Sequence, residues 1–363
     1  MSLLGDPITV AFAVIAIALL IVVIFFMAYF NILLLIANFA YPNAMLKATS
    51  VLFLAKERLR KLSESSREEF VESLRSAGYP ISSGESDPDM IEAAVERHSF
   101  KLMEETANSM PHKAKPFFEA WMKKYDITAI KNVLRAKRAG ERPDISKIPL
   151  YELDRKILSE MADSRDIESA ILVLHGTEYE MGPEERSGYA VETALDRKFF
   201  NGLVDSTSAV DSDIAQRISQ FVDMYADITN IKSALRTRAM GMKSESAMKS
   251  LVGPGSEIPE WRVKNMVDAA DIERAISEIS GTSYAEAIRG IRDITGIEAA
   301  LDRELLRRAL ELETDYSLDM GPALSFVISR EMESRNLKAI NRAIEAEMEW
   351  NDIEPLLVME DEL

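Results

Sequence analysis

The sequence predicts an all-α body built of three tandem homologous helical modules and preceded by one N-terminal transmembrane helix. Three observations lead there. Between Asp6 and Lys47 no side chain is charged. Beyond that point, runs rich in Ala, Leu, Glu, Lys, Arg and Met dominate, and no stretch shows sustained period-two alternation with turn pairs. Three sequence elements also recur in one order, about 100 residues apart. The 363 residues allow two or three domains at roughly 150 each. With 47% hydrophobic and 28% charged residues, most of the chain can bury a core.

The apolar start comes first. Ile8 to Phe30 is apolar apart from Thr9, longer than the roughly 20 residues that cross a bilayer core. A signal peptide wants a basic start and an apolar stretch of roughly 7 to 15 residues; here the only early charge is Asp6 and the run is far longer. No Gly or Pro interrupts the chain between Pro7 and Tyr41, so one span over about residues 8–30 is expected rather than a two-span hairpin. Asn31 and Asn38 mark its exit into a helix that packs on the soluble body. Lys47, Lys56, Arg58, Arg60 and Lys61 follow, and this positive bias puts the N-terminus outside and the body in the cytoplasm.

In the body, breakers gather in four connectors: Tyr79 to Asp89, Gly140 to Pro149, Gly176 to Gly188, and Gly253 to Pro259. Between them lie the repeats. Ile91-Glu-Ala-Ala-Val-Glu-Arg returns as Val191-Glu-Thr-Ala-Leu-Asp-Arg and as Ile297-Glu-Ala-Ala-Leu-Asp-Arg, at offsets of 100 and 106. Asp126-Ile-Thr-Ala-Ile-Lys-Asn-Val-Leu-Arg135 returns as Asp227-Ile-Thr-Asn-Ile-Lys-Ser-Ala-Leu-Arg236 and, more distantly, as Glu333-Ser-Arg-Asn-Leu-Lys-Ala-Ile-Asn-Arg342, at offsets of 101 and 106. Asp166-Ile-Glu-Ser-Ala-Ile, leading to Gly176-Thr-Glu-Tyr179, returns as Asp271-Ile-Glu-Arg-Ala-Ile, leading to Gly281-Thr-Ser-Tyr284, with a degenerate copy ending at Gly78-Tyr79. The expected divisions are a membrane segment over 1–40 and modules over 41–140, 141–245 and 246–363.

Within the second element Ile127, Ile130 and Leu134, like Ile228, Ile231 and Leu235, make one apolar helix face. The signature residues beside that face are Asp126, Lys131 and Arg135 in the first copy, and Asp227, Asn230, Lys232 and Arg236 in the second. Two readings stand: a ligand site present three times, or polar groups that cap and cross-link helices within each module. The second is the expectation, because polar groups near a core need partners, and Ala129 replaces the Asn in the first copy.

The triplicated module, with its Asp-Ile-Thr-Ala-Ile-Lys-Asn-Val-Leu-Arg and Asp-Ile-Thr-Asn-Ile-Lys-Ser-Ala-Leu-Arg helices, resembles the C subunit of archaeal-type and vacuolar-type rotary ATP synthases, called the d subunit in the eukaryotic vacuolar enzyme. The stretch from Gly321 to Leu337, with Glu331, Glu333, Arg335 and Asn336, resembles the closing helix of that family, and Tyr41-Pro-Asn-Ala44 its usual start. The resemblance covers residues 41 to 358. It departs in the added span over 8–30, in Arg330 where a Lys is expected, and in Glu345-Ala-Glu347 where a Lys-Gly turn is expected. The resemblance implies a non-catalytic rotor adaptor: a pseudo-three-fold funnel on the cytoplasmic end of the membrane proteolipid ring, receiving the D and F subunits of the central stalk and transmitting torque. Neither cofactor nor metal is implied. The partners are the ring, the D and F subunits, and the bilayer through residues 8–30.

Composition and motifs weigh against other classes. With 43 Lys plus Arg against 60 Asp plus Glu the net charge is −17, a poor match to nucleic acid, whose binding rests on neutralised phosphates. Absence of cysteine removes disulfides, thiolate metal sites and a Cys nucleophile. There is neither a Gly-x-x-x-x-Gly-Lys loop nor a His-Glu-x-x-His motif. His98, His112 and His175 follow Val95, Ser109 and Leu172 at three residues, so no Glu-x-x-His dimetal motif exists. Glu104 and Glu105, and Glu360, Asp361 and Glu362, read as solvated charge runs, and the Ser pairs at 65–66 and 82–83 as polar turns. The competing reading is a membrane-anchored helical scaffold or sensor outside any rotary motor, which leaves the triplication unexplained; a carboxylate enzyme in a helical bundle is more distant.

Overall fold

A computed structural model describes residues 7–49, 51–185, 190–242, 248, 251–253 and 255–360. Asp6, residues 186–188 of the third connector, Pro254, Asp361 and Glu362 lie outside them. Among the described residues every regular element is helical. Helix α1 (Pro7–Ala48) precedes α2 (Lys56–Ser63), α3 (Arg67–Ser76), α4 (Pro88–Ser109) and α5 (Lys115–Ala139). Then come α6 (Arg155–Asp163), α7 (Ile167–Leu172), α8 (Ala190–Ala209) and α9 (Ser212–Ala239). Last are α10 (Glu260–Asp268), α11 (Ile272–Ser277), α12 (Ile294–Asp315), α13 (Gly321–Glu345) and the short α14 (Trp350–Ile353). After α1, two short helices followed by two long ones occur three times over.

Local chemistry sets these boundaries. Asp154, Asp166 and Asp271 are extended N-cap residues whose carboxylates accept the free N–H groups of the first turns of α6, α7 and α11. Gly140, at φ 76°, ends α5 in the left-handed conformation. At the opposite end of the body, Gly321 opens α13 against the backbone oxygens of Leu312 and Tyr316, where a Cβ has no room, so α12 folds back tightly onto α13.

Each long pair packs on itself, and each second long helix also packs on the first long helix of the following set: α5 on α8, α9 on α12, and α13 back on α4. Most of the core is one continuous cluster centred on α5, α8, α9, α12 and the first half of α13. A second cluster joins the two ends of the body, with Leu59, Phe70 and Ile91 meeting Leu337, Ile340, Trp350 and Leu357.

The helix expected beyond Asn38 continues the first one, for α1 is unbroken from Pro7 to Ala48. Its described side chains from Ile8 to Leu34 are exposed, and the 18-residue window with the highest mean hydropathy reaches 3.3. That makes it the one helix among the described residues long and apolar enough to cross a membrane. Toward its C-terminal end Phe39, Pro42, Asn43 and Leu46 are buried, at the i, i+3, i+4, i+7 spacing of one helix face, against α4 and α13.

Candidate functional site

The repeated polar residues lie on α5, α9 and α13, and each reaches forward to the lead-in of the next set of helices. Asp126 is fully buried and accepts hydrogen bonds from the backbone N–H groups of Tyr151 (2.7 Å), Glu152 (2.9 Å) and Leu153 (3.0 Å), just before α6. Asp227, also fully buried, accepts from the N–H groups of Glu257 and Ile258 (both 2.9 Å) and from the Ser256 hydroxyl (3.2 Å), just before α10. Glu333 closes the series across the chain ends, accepting from the N–H groups of Leu52 (2.8 Å) and Phe53 (3.0 Å) before α2, and from Arg330 (2.5 Å).

A tyrosine from the third repeated element completes each carboxylate. The hydroxyls of Tyr179 and Tyr284 donate to Asp126 (2.9 Å) and Asp227 (3.1 Å), and Tyr79 lies against Glu333. Burial first, then the adjoining carboxylate, raises all three phenols far above their ordinary value, so they stay protonated as donors. Three or more donors per buried carboxylate offset much of its desolvation cost.

Two ion pairs accompany each carboxylate on the same helix. Lys131 reaches Asp196 (2.5 Å) and Arg135 reaches Glu192 (2.5 Å), both on α8. Lys232 reaches Asp302 and Arg236 reaches Glu298 (2.6 Å), both on α12. Lys338 reaches Glu96 (3.1 Å) and Arg342 reaches Glu92 (2.5 Å), both on α4. The acidic partners are the two carboxylates of the first repeated element, spaced i, i+4 like the cations that meet them. These ties run from α5 to α8 and from α9 to α12, and the last pair closes from α13 back to α4 across the chain ends. Burial, then the neighbouring Arg335 guanidinium, draws the Lys232 ammonium down to about 7.

The asparagines serve two of the three sets. The Asn230 side chain accepts from the Val252 N–H (3.1 Å) and donates to the Gly253 carbonyl (2.9 Å), while Asn336 makes the same pair of bonds with Val358 (2.9 and 2.6 Å). At the first position the buried Ala129 fills the place with a methyl group. Gly255 sits so close to Asp227 that a Cβ would land on its carboxylate.

Where α5, α9 and α13 come together, three residues at matching repeat positions meet although their chemistry differs. The Lys124 ammonium lies 2.6 Å from Glu331 and 2.7 Å from the Tyr225 hydroxyl, which in turn donates to Glu331 at 3.3 Å. Lys124 and Glu331 line one side of a cavity of about 490 Å³, whose wall also holds Trp121, Arg335 and Asp302. Arg335 pairs with Asp302 at its rim. Next to the lining residue Trp121 lies a cluster of apolar rings, with Phe117 and Trp121 packed on Phe221 at 5.7 and 5.8 Å between centroids.

All the signature residues are thus placed, and Lys232 and Arg335 meet on the shared carboxylate of Asp302. Among the described residues no three His, Asp or Glu side chains come together as a metal site. Lys124, Tyr225 and the three tyrosines on the carboxylates did not stand out in the sequence as site residues. The tyrosines belong to a recurring element, whereas Lys124 and Tyr225 carry no shared residue type that a repeat search could detect.

The family model described as ATP synthase (C/AC39) subunit matches residues 42–356, so the match starts within the buried foot of α1. The C subunit of the A-type ATP synthase of Pyrococcus horikoshii is 30% identical over 334 residues, covering 88% of this chain and 90% of that one. Its counterpart in Methanocaldococcus jannaschii is 30% identical over 349 residues, covering 89% and 87%. The C subunit is a non-catalytic part of the complex, which agrees with the expectation that the chain is not an enzyme. A match over most of its length, together with close to a third of its residues shared with these relatives, makes this chain a member of the ATP synthase (C/AC39) subunit family.

Proposed function

We propose that the protein is the central rotor adaptor of an A/V-type ATP synthase, coupling the membrane proteolipid ring to the D and F subunits of the central stalk during ion transport and ATP synthesis or hydrolysis. The observation that carries this reading is the sequence of seams α5 to α8, α9 to α12 and α13 to α4, each tied by the same buried carboxylate and the same two ion pairs. Divided as 41–140, 141–245 and 246–363, the body becomes three modules joined head to tail in a closed pseudo-three-fold funnel. A closed ring of short polar ties resists shear better than an open row of helices, which is what an adaptor under torque requires. The meeting of positions 124, 225 and 331 supports a pseudo-axis through the cavity.

On this reading residues 1–40 form a single-pass anchor with the N-terminus outside and the body in the cytoplasm. Support comes from the apolar surface of Ile8 to Leu34 and from the Lys and Arg residues after it. The test is to purify the tagged full chain from its membranes in mild detergent and identify what accompanies it by mass spectrometry. Stoichiometric proteolipid with the D and F subunits is expected. A clean preparation without them, from membranes that contain the motor, would mean a membrane-anchored scaffold instead.

A further inference from the structure

One unbroken helix joins the apolar rod to the body. α1 has no break between its exposed stretch and its buried foot, and Leu35 and Ile36 are already half-buried where the two meet. The one residue that weakens a helix internally, Pro42, lies inside the foot between Phe39 and Leu46 and is itself buried, so any bend there is clamped. Asn43 Nδ2 fixes the foot to the Asp319 carbonyl at 3.1 Å, and Arg330 reaches the Thr49 carbonyl just beyond the helix end. The foot rests on α13 and α4, the two helices that close the body on itself. A helix seated this way is held by its foot, so turning the body about an axis would carry the rod with it.

From this we infer, on the rotor-adaptor reading above, that α1 runs through the centre of the proteolipid ring and turns with it. A rod outside the ring would be carried around it and would meet, once each turn, any stationary protein that touches the ring's rim. Inside the ring, rod and wall move together and nothing is crossed. The surface of the rod fits such surroundings. From Ile8 to Leu34 it extends about 40 Å at 1.5 Å per residue, enough for a hydrocarbon core of about 30 Å. From Ile8 to Phe30 it is apolar apart from Thr9 and carries no charge, so it suits acyl chains and an apolar wall, not an aqueous path.

The chain has no cysteine, so a Leu20→Cys variant offers one site on it for a benzophenone, with the cysteine-free parent complex treated alongside as the control for labelling of other subunits. The experiment uses the whole complex purified from membranes with ring, stalk and stationary membrane subunits present, and irradiates it. Adducts with the ring proteolipid are expected, and the linked complex should retain ion-coupled ATP hydrolysis within about twofold, because both linked parts turn together. Adducts with a stationary subunit, adducts with lipid alone, or loss of hydrolysis once α1 is linked to the proteolipid would each overturn the inference. Failure of the chain to purify with the ring would instead remove the rotor-adaptor reading on which it rests.

Discussion

Replacing Asp227 by Ala should weaken the body more than any other single polar change on α9. The carboxylate is fully buried and serves two backbone N–H groups, the Ser256 hydroxyl and the Tyr284 hydroxyl. Each buried donor left without an acceptor costs about 1–3 kcal/mol, and the Glu257 N–H, the Ile258 N–H and the Tyr284 O–H would all be left so. Relief of the buried charge's own desolvation returns part of that, which puts the expected loss at about 3–5 kcal/mol. Asp227→Asn keeps one carbonyl acceptor and should lose about half as much. The assay is urea unfolding of the full chain in mild detergent, followed by far-ultraviolet circular dichroism with both variants alongside the parent. If Asp227→Ala lay within about 1 kcal/mol of the parent, the carboxylate would not be holding the lead-in to α10, and the seams would owe their strength to something else.

Four further outcomes follow from particular residues. Gly255→Ala should destabilise by about 2 kcal/mol in the same assay, since the new methyl displaces the Asp227 carboxylate from its donors. Arg236→Ala should cost less than about 1 kcal/mol, because the arginine side chain is 51% exposed and an ion pair open to solvent on one side contributes little; a larger loss would show that the seams rest on these pairs. Glu347 stands at φ 53° just past the end of α13, a conformation that costs a non-glycine residue about 1–2 kcal/mol, so Glu347→Gly should raise the melting temperature. Burial, then the charges of Arg330 and Lys101, pulls His98 down to about 4 from the usual 6.5. The folded chain then refuses a proton that the unfolded chain takes up, so the contribution of His98 is present above pH 6.5 and is lost as the pH falls toward 4. Melting temperatures at pH 7.5 and pH 5 should therefore differ less in a His98→Gln variant than in the parent.

Much of the fold was legible in the sequence alone. Helix-forming composition, breakers confined to connectors and the three recurring elements led to an all-α body with repeated helices, and the element order follows that pattern. The candidate site was half legible. Asp126, Asp227, Lys131, Lys232, Arg135 and Arg236 stood out because they recur, and their acidic partners Glu192, Asp196, Glu298 and Asp302 recur in the first element at complementary spacing. Pairing one with the other needs the crossing of α5 with α8 and of α9 with α12. Residue spacing fixes which side chains share a face of one helix, not which helix that face will meet.

By itself, then, the sequence determined the apolar start, the helical class, the recurring sequence elements and the family resemblance, all of which depend on local periodicity or on residue identity along the chain. Only the tertiary structure decided that the polar ties run forward from one set of helices to the next and close across the chain ends through Glu333. It alone brought Lys124, Tyr225 and Glu331 together, three unlike residues whose meeting depends on helix packing. It also decided that α1 continues without a break into its foot, because a run of apolar residues specifies burial in lipid or protein but not the stiffness of the joint between them.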